Sequence, residues 1–326
     1  MPEQNKIKEI LNVVIRIAIS GFLLWFIFSK IDVQKTWSVI KSGNMLFLTA
    51  GLLLFSFVNY ILYLRWTVFI KALSVSATLM NIVRYFCVGL FGNLFLPSAI
   101  GGDILKIIGL CRGSSEKPKV VASVLLDRLS GFGGMSLVAL IVFIFGYRYI
   151  GDRNALLIIG LMMTAVVIIA VVLFNTAIYT FCCRIFGWIP QLKQALIKLH
   201  EEVAILKSHP SAGIKALGFS CFAQILNALI WYVCALGLGV QIPLIYFFIF
   251  VPIICVFSSF PSIGGLGIRE AGTAFLFTKA GMGAEVAVGI SLINYIYMVL
   301  TGFLGGIVYV ATIPSGRVQH HPSDGF

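Results

Sequence analysis

The chain has 326 residues, of which 60% are hydrophobic and 11% charged, and its mean hydropathy is +1.02. A soluble domain carries roughly 25% charged residues, so composition excludes a water-soluble globular protein and identifies an integral membrane protein with no soluble segment long enough for a separate catalytic domain. The net charge of +12 fits loop cations facing anionic lipid headgroups; nucleic-acid binding is not needed to explain it.

A helix that crosses a hydrocarbon core near 30 Å needs roughly 20 apolar residues. The N-terminal MPEQNKIKEI leads into an apolar run at about 10–28 with no small-residue cleavage site, which predicts an uncleaved first span. Further spans are predicted at about 44–64, 120–146, 154–174, 216–238 and 284–311, six in all. Two shorter apolar runs, 82–96 and 243–260, end at Pro-Ser and are followed by short helices near 103–112 and 268–279. The segment at about 175–217 places Leu192, Leu196, Ile197, Leu199, Val203 and Leu206 at roughly helical spacing. That pattern fits an amphipathic helix on the cytoplasmic leaflet or a helical hairpin packed on the bundle. The polar tail at 314–326 is expected to be disordered, and its His320–His321 pair is only weakly metal-like.

The two breaks read almost alike: LPSAIGGDILK (Leu96 to Lys106) and FPSIGGLGIRE (Phe260 to Glu270). Pro97 and Pro261 each remove a backbone donor, and the glycines that follow permit unusual φ, so each stretch is a helix broken at membrane depth. Whether each element is a re-entrant hairpin or a discontinuous span stays open at this level. The order is span, span, broken element, span, then the same again, giving one half at about 10–146 and another at about 154–311. Three spans per unit is odd, so the second unit is inverted relative to the first, as in many transporters, with the substrate site at the paired breaks. With the N-terminus inside, fifteen loop cations lie on the cytoplasmic side against seven outside, which places both termini in the cytoplasm. The expected fold class is therefore an all-α polytopic membrane protein with about six full spans and two broken or re-entrant elements in an inverted repeat.

Gly101 and Gly102, and Gly264, Gly265 and Gly267, stand where a helix restarts. Free amide groups and the positive dipole end there suit a phosphate; the plain alternative is tight turns and close packing. Asp103 sits in the first turn of its half-helix, where it either complements the dipole or couples a proton or cation to transport. Arg269 and Glu270 occupy the matching place in the second half. Asp127 and Arg128 lie inside an apolar run, where a charge is costly and faces a cavity or partner. Arg128 either snorkels to headgroups or meets a lipid phosphate through its bidentate fork. Arg16 poses the same question in the first span. Asn59, Gln224, Asn227 and Asn294 are read as helix–helix hydrogen-bonding amides, while Asn93, one turn before Pro97, is a substrate-contact candidate. The seven cysteines, Cys87, Cys111, Cys182, Cys183, Cys221, Cys234 and Cys255, show no CxxC or Cys/His spacing and read as small core residues, with no metal or cofactor implied. No HExxH, GxSxG, P-loop or thiol–histidine arrangement occurs.

GNLFLPSAIGGDILK, LLDRL in the following span, and PSIGGLGIRE in this order resemble the transmembrane region of lysylphosphatidylglycerol synthases, also described as flippase-like domain proteins; the resemblance runs from the first span to about Val310. It implies a role in moving lipid across a prokaryotic cytoplasmic membrane. Full-length members follow this region with a tRNA-dependent transferase domain, which is expected to be absent here because the chain ends at Phe326. The lipid does not carry over, since stand-alone relatives are associated with several, including polyprenyl-linked sugars and hopanoids. The expected function is a flippase or lipid-transport protein for a phosphate-bearing lipid, with anionic headgroups as partners. The expected lipid-phosphate site comprises Arg128, Gly101, Gly102, Gly264, Gly265, Gly267, Arg269 and Asn93, with Asp103, Asp127 and Glu270 for coupling. The alternatives are a membrane-embedded enzyme, or a partner subunit for a lipid-modifying or glycosyl transferase.

Overall fold

A computed structural model describes residues 33–95, 101–111, 116–150, 153–174, 209–258 and 266–312. The predicted first span with Arg16, both proline breaks, Gly264, Gly265, most of the 175–217 connection, Cys182, Cys183 and the tail lie outside the described residues.

Nine of the ten helices among the described residues follow the apolar pattern, the short first one being the exception. The ten are α1 (Val33–Lys41), α2 (Met45–Ala72), α3 (Leu79–Phe95), α4 (Gly101–Cys111), α5 (Lys117–Ile150), α6 (Arg153–Phe174), α7 (Pro210–Gly237), α8 (Leu244–Ser258), α9 (Ile268–Lys279) and α10 (Ala284–Thr312). Four of these, α2, α5, α7 and α10, are long and apolar enough to cross a membrane; α6 adds 22 residues of almost unbroken apolar sequence. The burial pattern is inside-out relative to a soluble protein. Leu46, Leu161 and Phe145 are exposed, whereas Arg65, Asp103, Lys106, Asp127, Arg269 and Glu270 are buried. Hydrocarbon is the solvent of such a surface, and charges retreat to the interior where they find partners.

The broken elements resolve into re-entrant hairpins. Along α3 and α4 residue numbers fall on one helix as they rise on the other: Tyr85 meets Gly109, Gly89 meets Lys106, and Gly92 meets Leu105. The same holds for α8 and α9, where Ile254 meets Gly272 and Phe250 meets Phe277. At 1.5 Å per residue the four helices are roughly 16–26 Å long, short of the 30 Å core. A side chain at Gly102 would collide with the Gly89 carbonyl and Asn93, so glycine is what lets the first hairpin close.

The spans α2 and α7 run antiparallel, with Asn44 N–H bonded to the Gly237 carbonyl at one end and Arg65 to Ser220 at the other. Each is joined by a short loop to the hairpin that follows, so the two hairpins enter from opposite faces. The packing is reciprocal. The first hairpin's α3 lies against α10, the last span of the second half; the second hairpin's α8 lies against α5, the last span of the first half. Exchanging α2 with α7, α3 with α8, α4 with α9 and α5 with α10 maps each of these contacts onto another that exists. Each hairpin also has its own aromatic core, Trp66, Phe69 and Phe86 under the first and Trp231, Phe247, Phe250 and Phe277 under the second.

Two boundaries differ from the sequence reading. The span expected from 216 starts at Pro210, whose fixed φ suits the first helical turn, so the last residues of the expected amphipathic connection belong to α7. The nine-residue α1 was not expected; it packs on α10, and Lys35 pairs with Glu285 at 3.5 Å.

Candidate functional site

A cavity of about 390 Å³ opens inside the bundle between α2, α3, α4, α5, α7, α8 and α10. At one end lie five charged side chains: Arg65, Asp103, Lys106, Asp127 and Arg128. Three are cations and two carboxylates, leaving one positive charge in excess.

The carboxylates are fully engaged. Asp127 is gripped by Arg65 through two parallel bonds, Nε to Oδ1 at 2.6 Å and an Nη to Oδ2 at 3.0 Å, while the other Nη reaches Ser220 Oγ at 3.1 Å. This fork geometry is the strongest form of ion pair, and both partners are buried. Asp103 is shared: its Oδ1 lies 3.2 Å from Lys106 Nζ one turn on, and its Oδ2 accepts from Arg128 Nε. The Lys106 ammonium also stands 5.2 Å from the Trp66 ring centre and 4.9 Å from that of Phe86, a placement worth more in a dry site than at a surface. Arg128 is the accessible member, with 35% of its side chain exposed. An anion arriving there competes with Asp103, which keeps Lys106 as a partner and so is not stranded if Arg128 turns away.

The second hairpin closes the corresponding charges on one another. Glu270 is fully buried; its Oε2 accepts from the Gly267 amide at 2.7 Å, and its Oε1 accepts from Arg269 at 2.6 Å and from Ser291 Oγ at 2.9 Å. Arg269 also reaches Ser291 at 2.9 Å and stacks over Tyr295. Gly267 has φ +87, a left-handed conformation that glycine alone adopts without cost, and it opens α9 with Glu270 as the returning cap.

The expected site residues therefore divide. Arg128, Asp103, Asp127 and Asn93 meet on the cavity wall, whereas Gly267, Arg269 and Glu270 do not line it. Neither the Gly102 nor the Gly267 amide is bare: the first donates to Asn93 Oδ1 at 3.0 Å and the second to Glu270. The geometry thus puts the Arg128 guanidinium, rather than those two backbone groups, where an anion would arrive.

Sequence reading also missed residues. Arg65 lies just past the span expected at about 44–64, yet it is buried beside Asp127. Its signal was the apolar sequence that continues past it to Ala72, which keeps it inside the helix. Asn59, Gln224 and Asn227 read as helix–helix amides; all three line the cavity. Asn59 donates back to the Phe55 carbonyl, and Asn227 makes one long contact of 3.6 Å to Cys255 sulfur. Gln224 is buried, and its Nε2 has no hydrogen-bond partner. Asn294 bonds to the Ile290 carbonyl on its own helix, away from the cavity. The five described cysteines form no disulfide with one another, and Cys234 sits in the aromatic core of the second half.

The model of the lysylphosphatidylglycerol synthase TM region matches residues 13–306, nearly the whole chain. The chain belongs to that family. Similar proteins are a UPF0104 membrane protein of Pyrococcus horikoshii, 22% identical over 92% of this chain and 96% of its own length. Another is a UPF0104 membrane protein of Methanothermobacter thermautotrophicus, 22% identical over 90% of this chain and 91% of its own. No solved structure matches the chain. Membership in this family fits the inside-out bundle, and the charged cavity is the feature of it that bears on chemistry.

Proposed function

We propose that this protein moves a phosphate-bearing lipid between the leaflets of a prokaryotic cytoplasmic membrane, with both termini on the cytoplasmic side. The observation that carries the reading is the mid-bundle cavity with an excess positive charge and one accessible guanidinium, Arg128, between two hairpins that enter from opposite faces. A headgroup phosphate replaces Asp103 as the partner of Arg128 while the acyl or prenyl chains stay in the bilayer. Asp103, released by Arg128 and held by Lys106, is the coupling candidate. Re-entrant hairpins from opposite faces give each leaflet its own approach to one site, the geometry that alternating access requires. The fork of Arg suits a phosphate, and a cation at that depth is costly unless it has an anion to meet. Transport uses Arg128, Asp103 and Lys106 without asking any of them to make or break a covalent bond.

The test is headgroup translocation in liposomes containing the purified chain, read with a fluorescent anionic lipid and a membrane-impermeant quencher. The wild-type chain should accelerate loss of inner-leaflet protection relative to protein-free vesicles, and Arg128→Ala should abolish the gain while still eluting as a folded monodisperse species. An equal rate for Arg128→Ala and wild type would remove Arg128 from the site. No acceleration by folded wild-type protein with any lipid would favour an enzyme or a partner subunit instead.

A further inference from the structure

We infer that the seam between α3 and α10 holds one anionic phospholipid outside the cavity, with its phosphate at Arg84 and an acyl chain in a groove below it. This lipid is resident and is not cargo, so the inference stands apart from the transport reading. Three observations carry it. The first is the groove itself, about 680 Å³ in volume. Val88 and Phe91 of α3 and Phe303, Ile307 and Val310 of α10 wall it, with Tyr309 near its mouth. Phe303, Ile307 and Val310 are exposed, so the groove faces hydrocarbon. Behind it, Gly302 and Gly305 bring α10 onto the Leu90 and Cys87 carbonyls. That contact separates the groove from the cavity, which takes Leu90 and Thr301 from the same two helices. A groove open to the bilayer fills, because a void forfeits the dispersion contacts of its walls.

The second observation is the reach of the groove. The two helices run antiparallel here: Leu94 meets Gly302, Phe91 meets Gly306 and Arg84 meets Thr312. An edge-to-face pair, Phe91 and Phe303 with ring centres 6.0 Å apart, stands at the deep end, and Thr312 stands at the mouth. From Phe303 to Thr312 the helix rises roughly 14 Å at 1.5 Å per residue, close to half of a 30 Å hydrocarbon core. An acyl chain of one leaflet fits that length, whereas a spanning helix would overrun it.

The third is the cation at the mouth. Arg84 lies one turn before Val88 on the same face of α3. Its Nε donates to Thr312 Oγ1 at 3.3 Å, one Nη to Asn81 Oδ1 at 3.2 Å, and the other Nη to the Thr312 carbonyl. All three acceptors are neutral, and a guanidinium has five N–H donors. Two donors and the whole positive charge are therefore left at the level where a chain meets its headgroup. Tyr309, one turn away, is of a type enriched at that interface. A phosphate matches the charge, and a zwitterionic headgroup brings its own cation with it. In the orientation proposed above this mouth faces the cytoplasmic leaflet, whose surface is negative. The bound lipid ties the start of the first hairpin to the end of the last span.

The test is native mass spectrometry of the purified chain, released from micelles doped with dioleoyl phosphatidylglycerol or with dioleoyl phosphatidylcholine. The cavity also takes a phosphate-bearing lipid in the reading above, so the seam lipid is counted in Arg128→Ala. That protein should retain one phosphatidylglycerol, about tenfold more tightly than phosphatidylcholine, the scale of one charge-assisted hydrogen bond. Adding Val310→Trp, which fills the groove from a position 67% exposed and so spares the packed seam, should abolish retention. Adding Arg84→Gln instead should weaken it about tenfold. Retention that disappears in Arg128→Ala but survives Val310→Trp would put the lipid in the cavity and overturn the inference. Retention unchanged by Val310→Trp or by Arg84→Gln would do the same, leaving the groove to a protein segment such as the apolar run at 10–28. A dimer that Val310→Trp splits would give the groove to a second copy, again against the inference. Failure of the liposome assay would leave a positive result here intact, and failure here would leave the transport reading intact.

Discussion

The two re-entrant hairpins share a sequence pattern and a packing plan, yet their charges do opposite things. In the first, Asp103 divides itself between Lys106 and Arg128, and Arg128 opens onto the cavity. In the second, Arg269, Glu270 and Ser291 form a closed set that also satisfies the Gly267 amide. Both arrangements solve the same problem, a helix restarting inside hydrocarbon with donors to satisfy. The closed solution commits its charges to the fold; in the open one Arg128, bonded to Asp103, also lines the cavity. Sequence correspondence between halves therefore does not fix how the charges pair, since Asp103 takes a cation from α5 whereas Glu270 takes its own neighbour Arg269.

The sharpest way to break this comparison is to remove the arginine from each hairpin. Arg269→Ala leaves Glu270 buried without a cation and should lower stability by about 3–5 kcal/mol, seen as a large drop in thermal unfolding temperature in detergent. Arg128→Ala leaves Asp103 with Lys106 and should cost about 1–2 kcal/mol, while its transport loss is complete. Equal thermal penalties would erase the distinction between a closed and an open cluster. Ser291→Ala keeps the Arg269–Glu270 pair and removes one hydrogen-bonding hydroxyl, for a loss of about 1 kcal/mol and unchanged translocation.

The smallest effect lies in the loop before α5. Hydrogen bonds from Lys119 at 2.8 Å and from the Ser76 amide at 2.9 Å hold the Glu116 carboxyl down to about 2. A carboxylate with a depressed value stabilises the fold above its ordinary range, and that contribution fades as pH falls from about 4.5 toward 2. The wild type should therefore lose slightly more melting temperature across that window than Glu116→Gln, and identical acid profiles would show that the loop contacts contribute nothing.

Much of the architecture was legible because proline and glycine act through local backbone geometry. The Pro-Ser breaks marked where two helices stop, and the apolar runs marked the spans, since both signals depend only on neighbours in the chain. That the elements fold back rather than continue was not legible, because it depends on Gly89, Gly92 and Gly102 meeting residues across the hairpin. Arg65 was hidden for a related reason: six residues before Lys71 near the end of a long span, it looks like any loop cation until Asp127 is brought beside it. Nor could Gln224 be told from an ordinary packing amide, since which face of α7 lines a cavity is set by six other helices. The short α1 gave no apolar run at all.

The Arg65–Asp127 pair also constrains how the protein is made. Its members are 62 positions apart in the chain, so the ribosome delivers an arginine-bearing span well before the span that neutralises it. An unpaired Arg in an inserting helix is costly, about 2.5–3.5 kcal/mol at the helix centre and less toward its end, a deficit that persists until α5 emerges. That buried fork therefore bears on how the bundle assembles as well as on how it holds together.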